Sequence, residues 1–172
     1  MSATTSPGSQ TERSFTPREF RDAMGQFATG VVTVTTIVDG APHAMTANAF
    51  MSGSLEPPLV IVSIACTAKM HERIGNAGWF GVSVLADNQQ WCSNHFAGKP
   101  SPDRQPAFQS LAGVPVVEGA NVQVAAQLRH AYPCGDHTLF VGEVQALGHA
   151  PEAAAPLLFH GGRYAALSAA AS

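Results

Sequence analysis

The sequence predicts a mainly β protein, an antiparallel barrel with a few short flanking helices. Short β-branched or apolar runs dominate the chain, and turn signals such as Asp39-Gly40 separate them. Strands and helices do not alternate in the order that builds a parallel sheet. We therefore expect strands joined by hairpins around a single core, which a chain of 172 residues is long enough to bury.

The first predicted element is a helix that begins at Pro17. Thr16 is the capping residue, proline suits the first helical position, and Glu19 completes a capping box. Gly30 is expected to end the helix. The larger apolar side chains that share one face of it are Phe20, Met24 and Phe27. We expect that face to pack on the barrel.

Strands and two further helices account for most of the remaining chain. Residues 31–38 and 42–50 form a predicted hairpin around Asp39-Gly40. The other predicted strands are residues 59–65, 79–85, 121–132, 138–147 and 157–160, and the other predicted helices are residues 69–77 and 88–97. Strand 121–132 alternates, and its apolar side consists of Val122, Val124, Ala126 and Leu128. Residues 98–119, rich in proline and glycine, are expected to form a surface excursion.

The two ends of the chain differ in composition from the part between them. Residues 1–14, rich in serine, threonine and proline, predict a disordered leader, and residues 166–172 predict a small-residue tail. Residues 15–165 then form one domain. Residues 1–10 contain neither a basic residue nor an apolar segment, so they do not predict a signal peptide.

The composition limits the classes of partner. Only 12% of the residues are charged, against about a quarter in an average domain, while 45% are hydrophobic. Burying part of the surface in an oligomer would resolve that shortage of charge. A net charge of -3 without a lysine and arginine cluster argues against nucleic acid as a partner. No apolar stretch approaches the ~20 residues that span a membrane, so no membrane partner is expected.

The three cysteines, Cys66, Cys92 and Cys134, are far apart in the sequence and form no CxxC pair. They predict neither a zinc ribbon nor a disulfide framework. Free thiols suit a reducing compartment, so we expect a cytoplasmic protein. Cys134 and His137 alone are too few ligands for a metal site, and the other histidines lack metal-binding spacing, so no metal is expected.

The segment that begins Gly135-Asp136-His137 is the most informative part of the sequence. A turn of Cys134, Gly135 and Asp136 precedes a strand too apolar for the surface, and it places His137 at the mouth of whatever that strand encloses. A titratable ring held by a rigid strand suits a functional site. On these residues alone, a histidine that merely opens a strand is an equal alternative.

Four segments that follow one another in order resemble the short-chain flavin reductases, the reductase components of two-component flavin-dependent monooxygenases. They are residues 44–54, residues 57–64, the Gly-Asp-His-Thr-Leu-Phe-Val-Gly run at 135–142, and His160-Gly161-Gly162-Arg163-Tyr164. The resemblance runs over residues 15–164. It implies a Greek-key split β-barrel, usually homodimeric, that uses NADH or NADPH to reduce FMN or FAD for a separate monooxygenase.

The resemblance also implies a flavin site. The residues expected to line the isoalloxazine ring and ribityl chain are Thr46, Ala47, Asn48 and Ala49, although an ordinary edge strand is the alternative for that segment. Further expected contacts are Ser63, Ala65, Cys66 and Thr67, with Ser83 matching a family position near the flavin. Thr67 can cap the following helix, whose start with Lys69 would seat a phosphate; a capping threonine beside a solvated lysine is the alternative.

Residues near the end of the chain are expected to meet the nicotinamide nucleotide. By resemblance, His137 is the catalytic candidate, contacting nicotinamide or balancing charge on reduced flavin. Arg163 and Tyr164 would close over the nucleotide, and Tyr164 could equally be a core aromatic with its hydroxyl satisfied. Hydride passes between two cofactor rings, so no catalytic triad is expected.

Several alternatives stay open from the sequence. The chain lacks G-x-G-x-x-G, so a dinucleotide would have to bind outside a Rossmann fold. A non-catalytic flavin- or heme-binding module could use the same barrel, and a pyridoxamine-phosphate-oxidase-like enzyme shares the broad architecture. FMN against FAD, NADH against NADPH, flavin as bound cofactor or as diffusing substrate, and the partner oxygenase are all undetermined.

Overall fold

The computed structural model describes residues 14–152 and 154–167. The predicted leader up to residue 13 and the tail from residue 168 lie outside these ranges. The helices are α1 (Pro17–Met24), α2 (Lys69–Ala77) and α3 (Gln90–Phe96). The strands are β1 (Thr29–Gly30), β2 (Val32–Val38), β3 (Ala41–Ala47), β4 (Phe50–Leu55), β5 (Pro58–Ala65), β6 (Trp79–Val84), β7 (Phe108–Leu111), β8 (Val114–Val117), β9 (Val122–Cys134), β10 (His137–His149), β11 (Leu158–His160) and β12 (Arg163–Ala165).

Seven strands form one antiparallel sheet in the order β3-β2-β6-β9-β10-β5-β4. Its two edge strands, β3 and β4, are consecutive in the chain and are joined only by Asn48 and Ala49. A link this short spans about 10 Å, so the sheet must curl until its two edges approach each other at that point. Among the described strands no ladder joins β3 to β4. The predicted mainly β, antiparallel split barrel is therefore confirmed.

The main core lies inside the curled sheet. Alternate side chains of β5, β6, β9 and β10 point inward, as their period of two requires, and α2 adds Met70 and Ile74. The buried members are Val32, Val34, Val60, Val62, Ile64, Met70, Ile74, Phe80, Val82, Val124, Ala126 and Phe140. The predicted apolar side of β9 is confirmed, because Val122, Val124, Ala126 and Leu128 all belong to this cluster. Helix α2 thus fills the barrel beside its split.

A second core lies outside the barrel, where α3 and the short strands cover it. Its buried members are Val31, Leu85, Cys92, Val117, Ala120 and Leu157. The excursion predicted for residues 98–119 is only partly correct, because it contains the hairpin of β7 and β8. All four residues of β8 are buried, since that strand covers the outer face of β2 and β6.

Within the described residues no helix is long and apolar enough to cross a membrane.

The start of α1 is as predicted, but its end and its packing are not. Thr16 and Glu19 form the expected capping box, and Pro17 opens the helix. The helix ends at Met24, with Gly25 as its C-cap, because backbone bonds from Gln26 and Phe27 reach back only to Ala23 and Met24. The apolar face does not pack on the barrel: Phe20, Met24 and Phe27 are exposed, Phe27 by 77%.

The bounds of two further predicted elements differ from those in the structure. Residues 42–50 do not form a single strand, because the chain leaves β3 at Ala47 and Phe50 opens β4 on the opposite edge. The turn at Asp39-Gly40 is confirmed by positive φ angles at both residues. Helix α2 has the predicted bounds. The helix predicted at 88–97 is shorter, because a 3-10 turn at Asp87–Gln89 precedes it.

Gly142, in the Gly-Asp-His segment, tests the core packing. A Cβ built there would lie 2.5 Å from Phe80 Cζ and 2.8 Å from Ala126 Cβ. We expect Gly142→Ala to lower the free energy of unfolding by about 1–3 kcal/mol through overpacking, measured by urea denaturation. The control is Gly75→Ala in α2, where a Cβ meets nothing within 4 Å and helix propensity improves. Equal stabilities for both variants would contradict this account of the core.

Candidate functional site

Several of the predicted site residues meet where the two edges of the sheet approach each other. Ala49 follows β3, and its carbonyl accepts a hydrogen bond from the Ser63 amide of β5 at 3.0 Å. Ala65 pairs with His137 in the register of β5 and β10. Because Val62 and Ile64 point into the core, Ser63 and Ala65 point to the outer face, on the same side as His137. Small side chains therefore border His137.

The His137 ring is oriented by the residue before it. Its Nδ1 lies 2.8 Å from Asp136 Oδ1, and its side chain is 42% exposed. Donation from Nδ1–H to that carboxylate leaves Nε2 as the second ring nitrogen that could contact a ligand. The same hydrogen bond, with the attraction of the ring charge, lowers the pKa of the Asp136 carboxyl. This pair is a positioned polar contact at the strand opening.

The start of α2 lies beside this face and carries no side-chain cap. The N-cap position is Ala68, not Thr67, so the expected capping role of Thr67 is wrong. The Cys66 amide donates to the Asp136 carbonyl at 2.9 Å, which ties the turn before α2 to the turn before His137. The His71 amide donates to the Ala68 carbonyl at 3.0 Å, and no side chain caps the amides before it. A helix start of this kind, with Lys69 in its first turn, suits an anion.

A second group forms around α3 and includes the other end of the predicted site. Thr46 Oγ1 donates to the Ser93 carbonyl at 2.6 Å. The Tyr164 hydroxyl lies 2.8 Å from Ser93 Oγ and donates to Asn94 Oδ1 at 3.1 Å. These contacts satisfy the Tyr164 hydroxyl, and its ring packs edge-on against Phe159 in the outer core. The network connects the end of β3 to the C-terminal strand.

Ser93 and Asn94 were missed by the sequence reasoning. They lie in a short helix that offers no motif, and only its packing against β3 brings Asn94 and Ser93 toward Thr46. No local signal in the sequence could have found them.

Two predicted residues lie apart from these groups. Ser83 is fully buried, and its hydroxyl accepts a hydrogen bond from the Val117 amide at 2.9 Å beneath β8. Its side chain is therefore enclosed by the excursion rather than facing the edge where Ala49 and Ala65 lie. Arg163 is exposed and lies on β12, where it pairs with His160 of β11. The described ladders do not connect these two strands to the strand that carries His137.

Two cavities of the described chain lie away from the outer face beside His137. One, of about 430 Å³, lies between α2 and the end of the β9–β10 hairpin and includes His71, Glu72, Asn76 and Phe140. The other, of about 230 Å³, lies beside Trp79 and Val114. Neither cavity is lined by His137, Ala49 or Ala65. The described residues also contain no group of three or more metal-ligating side chains.

This surface suits a planar ring with a phosphate-bearing tail. Alanines at 49 and 65 allow close approach to the backbone, whereas the Ala47 side chain packs against the main core. His137 supplies a ring nitrogen, and a helix start without a side-chain cap, with Lys69 in its first turn, suits an anion. The family model described as the flavin reductase like domain matches residues 24–168. The chain belongs to this family.

Similar proteins agree with the flavin reductase assignment. A NADH-dependent flavin reductase of a Rhodococcus species is 44% identical over 88% of this chain and 87% of its own length. The reductase subunit HsaB of a flavin-dependent monooxygenase from Rhodococcus jostii (strain RHA1) is 36% identical over 95% of this chain and 85% of its own. The solved flavin reductase PheA2 in its native state superposes with a TM-score of 0.86, at 44% identity, covering 90% of this chain and 100% of that one.

The different exposure of the three cysteines provides a test of the fold. Cys66 and Cys134 are exposed and Cys92 is buried. Burial raises the pKa of the Cys92 thiol to about 11, despite a hydrogen bond with Thr33 that opposes the shift. We expect a thiol reagent at pH 8 to modify two thiols rapidly and the third only on unfolding, measured by absorbance of the released chromophore.

The control is the double variant Cys66→Ser with Cys134→Ser, which should show no rapid reaction in the folded state. Rapid reaction of all three thiols in the unmodified protein would contradict the enclosed outer core around Cys92.

Proposed function

We propose that this chain is a flavin reductase that transfers hydride from NADH to FAD or FMN and supplies the reduced flavin to a separate monooxygenase. The observation that carries the proposal is the near full-length match to a NADH-dependent flavin reductase. The HsaB match, a monooxygenase reductase subunit, supports the role as a supplier of reduced flavin. The absorbance assay below compares NADPH with NADH as the hydride donor.

When bound, the two rings supply the chemistry themselves, because hydride passes from nicotinamide to flavin. The residues of this chain would bind the two rings and orient them. Ala47, Asn48, Ala49 and Ala65 would border the flavin ring, while the start of α2 and Lys69 would hold its phosphate. His137 Nε2 would contact nicotinamide or the reduced flavin. The proposed assignment contains no general base and no catalytic triad, because hydride transfer between the two rings requires neither.

The remaining site residues are proposed with narrower roles. Ser63 and Thr67 would offer hydroxyl groups and Cys66 its backbone along the outer face. Arg163 and Tyr164 would lie on the nucleotide side, Tyr164 through its network with Ser93. Ser83 would act only indirectly, since its hydroxyl holds the Val117 amide. A non-catalytic flavin- or heme-binding module is not favoured, and neither is a pyridoxamine-phosphate-oxidase-like enzyme, because the matches are to flavin reductases.

The decisive experiment follows absorbance at 340 nm with NADH or NADPH, with and without added FMN or FAD. Flavin-dependent loss of signal, faster with NADH, supports the reductase and fixes both cofactor preferences. Loss only with added flavin, from protein purified without bound flavin, would identify flavin as a diffusing substrate. Absence of turnover with every pairing, in protein shown to be folded by circular dichroism, would refute the proposal.

His137 tests the assignment of the catalytic contact. We expect His137→Ala to slow reduction of bound flavin about ten-fold or more, because one positioned polar contact to the reacting rings is lost, while flavin affinity stays within several-fold. Stopped-flow absorbance of the flavin measures the rate. The matched control is His149→Ala at the other end of β10, ~40 Å along the strand. An unchanged rate in the His137 variant would contradict the assignment.

We also propose that residues 15–165 form the functional domain and that two copies pair as a homodimer. Rows of side chains cross the outer face of β4, β5, β10 and β9, such as Met51-Ile61-Val141 and Ser63-Leu139-Tyr132. Met51 and Tyr132 are more than half exposed in the isolated chain. Such an apolar face suits a second copy. The free cysteines support a reducing, cytoplasmic location.

The dimer proposal predicts a particle mass in solution of twice 17.9 kDa. We expect Met51→Glu to shift the mass toward the monomer, because it places a charge in the apolar face, whereas Ile37→Glu on β2, far from that face, should not. Light scattering at micromolar concentration measures both. A monomer for the unmodified protein would refute the dimer, and equal masses for the two variants would exclude this face.

A further inference from the structure

Three nitrogen-bearing side chains gather where α2 packs against the edge strand β3. Lys69 and Arg73 are one turn apart on α2 and therefore lie on one face of that helix. His43 lies on β3 and pairs in register with Thr36. Arg73 Nη1 contacts His43 Nδ1. The group therefore stands at the split in the barrel, on the β3 side.

The contact between Arg73 and His43 fixes the protonation of the histidine. A guanidinium can only donate, so His43 Nδ1 must accept and its proton must sit on Nε2. Burial, followed by the charges of Arg73 and Lys69, lowers the pKa of His43, in keeping with a neutral ring. The outward atoms of the group are then the Nε2–H of His43, the remaining N–H groups of Arg73 and the ammonium of Lys69. All of them are donors.

Among the described residues no carboxylate forms an ion pair with Lys69 or Arg73. The acidic neighbour on α2, Glu72, lines the cavity on the β9–β10 side of the helix together with His71. The Arg129–Glu143 and Arg18–Asp22 pairs lie elsewhere. Two cations and a neutral donor thus converge without an internal counter-ion, beside the uncapped first turn of α2. Such a set favours an anion with several acceptor oxygens.

We propose that His43, Lys69 and Arg73 form a subsite for a phosphate or diphosphate group of a nucleotide substrate. The inference rests on the proposed function and adds His43 and Arg73 to its binding residues. Arg73 would bind the phosphate oxygens, and His43 would hold the guanidinium in place through Nδ1 while donating from Nε2. The phosphate of a flavin nucleotide and the diphosphate of a nicotinamide nucleotide share this chemistry.

Equilibrium binding separates the inference from the activity. Flavin fluorescence titrations without NADH compare FMN with riboflavin, which has the same ring and ribityl chain but no phosphate. For flavin phosphate, Arg73→Gln should weaken FMN about ten-fold or more and leave riboflavin unchanged, since charge-assisted hydrogen bonds are lost. The variant Arg73→Lys should recover part of the affinity, and His43→Ala should weaken FMN less. Arg18→Gln, which removes an exposed charge from α1, should change neither.

The second arm tests the other nucleotide. If the subsite takes the nicotinamide nucleotide, Arg73→Gln should leave FMN binding unchanged and raise the KM for NADH about ten-fold with riboflavin as acceptor. Either pattern supports the subsite and names its ligand. Unchanged FMN affinity together with an unchanged NADH KM overturns it. Equal losses for FMN and riboflavin also overturn it, because the effect would then lie on the ring. A phosphate-dependent loss in a protein without NADH turnover would refute the proposed function alone.

Discussion

The shape of this protein depends on the two-residue link between β3 and β4. These strands are the opposite edges of a seven-stranded sheet, yet only Asn48 and Ala49 separate them in the chain. The sheet can meet that constraint only by curling until its edges face each other. The curl places Ala49 against Ser63 and brings the end of β3 near the outer face that carries His137. The candidate site is thus a direct consequence of the closure.

Because no described ladder joins β3 to β4, the barrel has a split between these strands, and helix α2 packs there. Three faces of this helix have different roles. Met70 and Ile74 enter the barrel and complete its apolar core. Lys69 and Arg73 face the β3 edge, where His43 meets the guanidinium. His71 faces β10, with Nε2 lying 2.7 Å from Thr138 Oγ1. One nine-residue helix therefore stabilises the barrel and supplies positive charge at its split, so removing its cations need not disturb its apolar packing.

The elements that the sequence predicts correctly are those that depend on residues close together in the chain. The capping box at Thr16, the Asp39-Gly40 turn and the bounds of α2 follow from residues within one turn of each other. The break at Asn48 could not be predicted in this way, because a continuous polar and small run gives no sign that its second half pairs with β5. The burial of β8 and the role of Ser93 depend on partners distant in the chain. The site residues came from the resemblance, and their ligand contacts stay predictions.

The position of His137 on the outer face bears on the proposed chemistry. Hydride transfer between two stacked rings requires that they be held together and shielded from competing reactions. In a single chain the His137 side chain is 42% exposed on this face, with Tyr132, Leu139 and Met51 in the adjoining rows. The face proposed to bind a ring therefore continues into the apolar surface proposed to meet a second copy. Pairing there would enclose the rings between two chains, so that assembly and a shielded site arise from one surface.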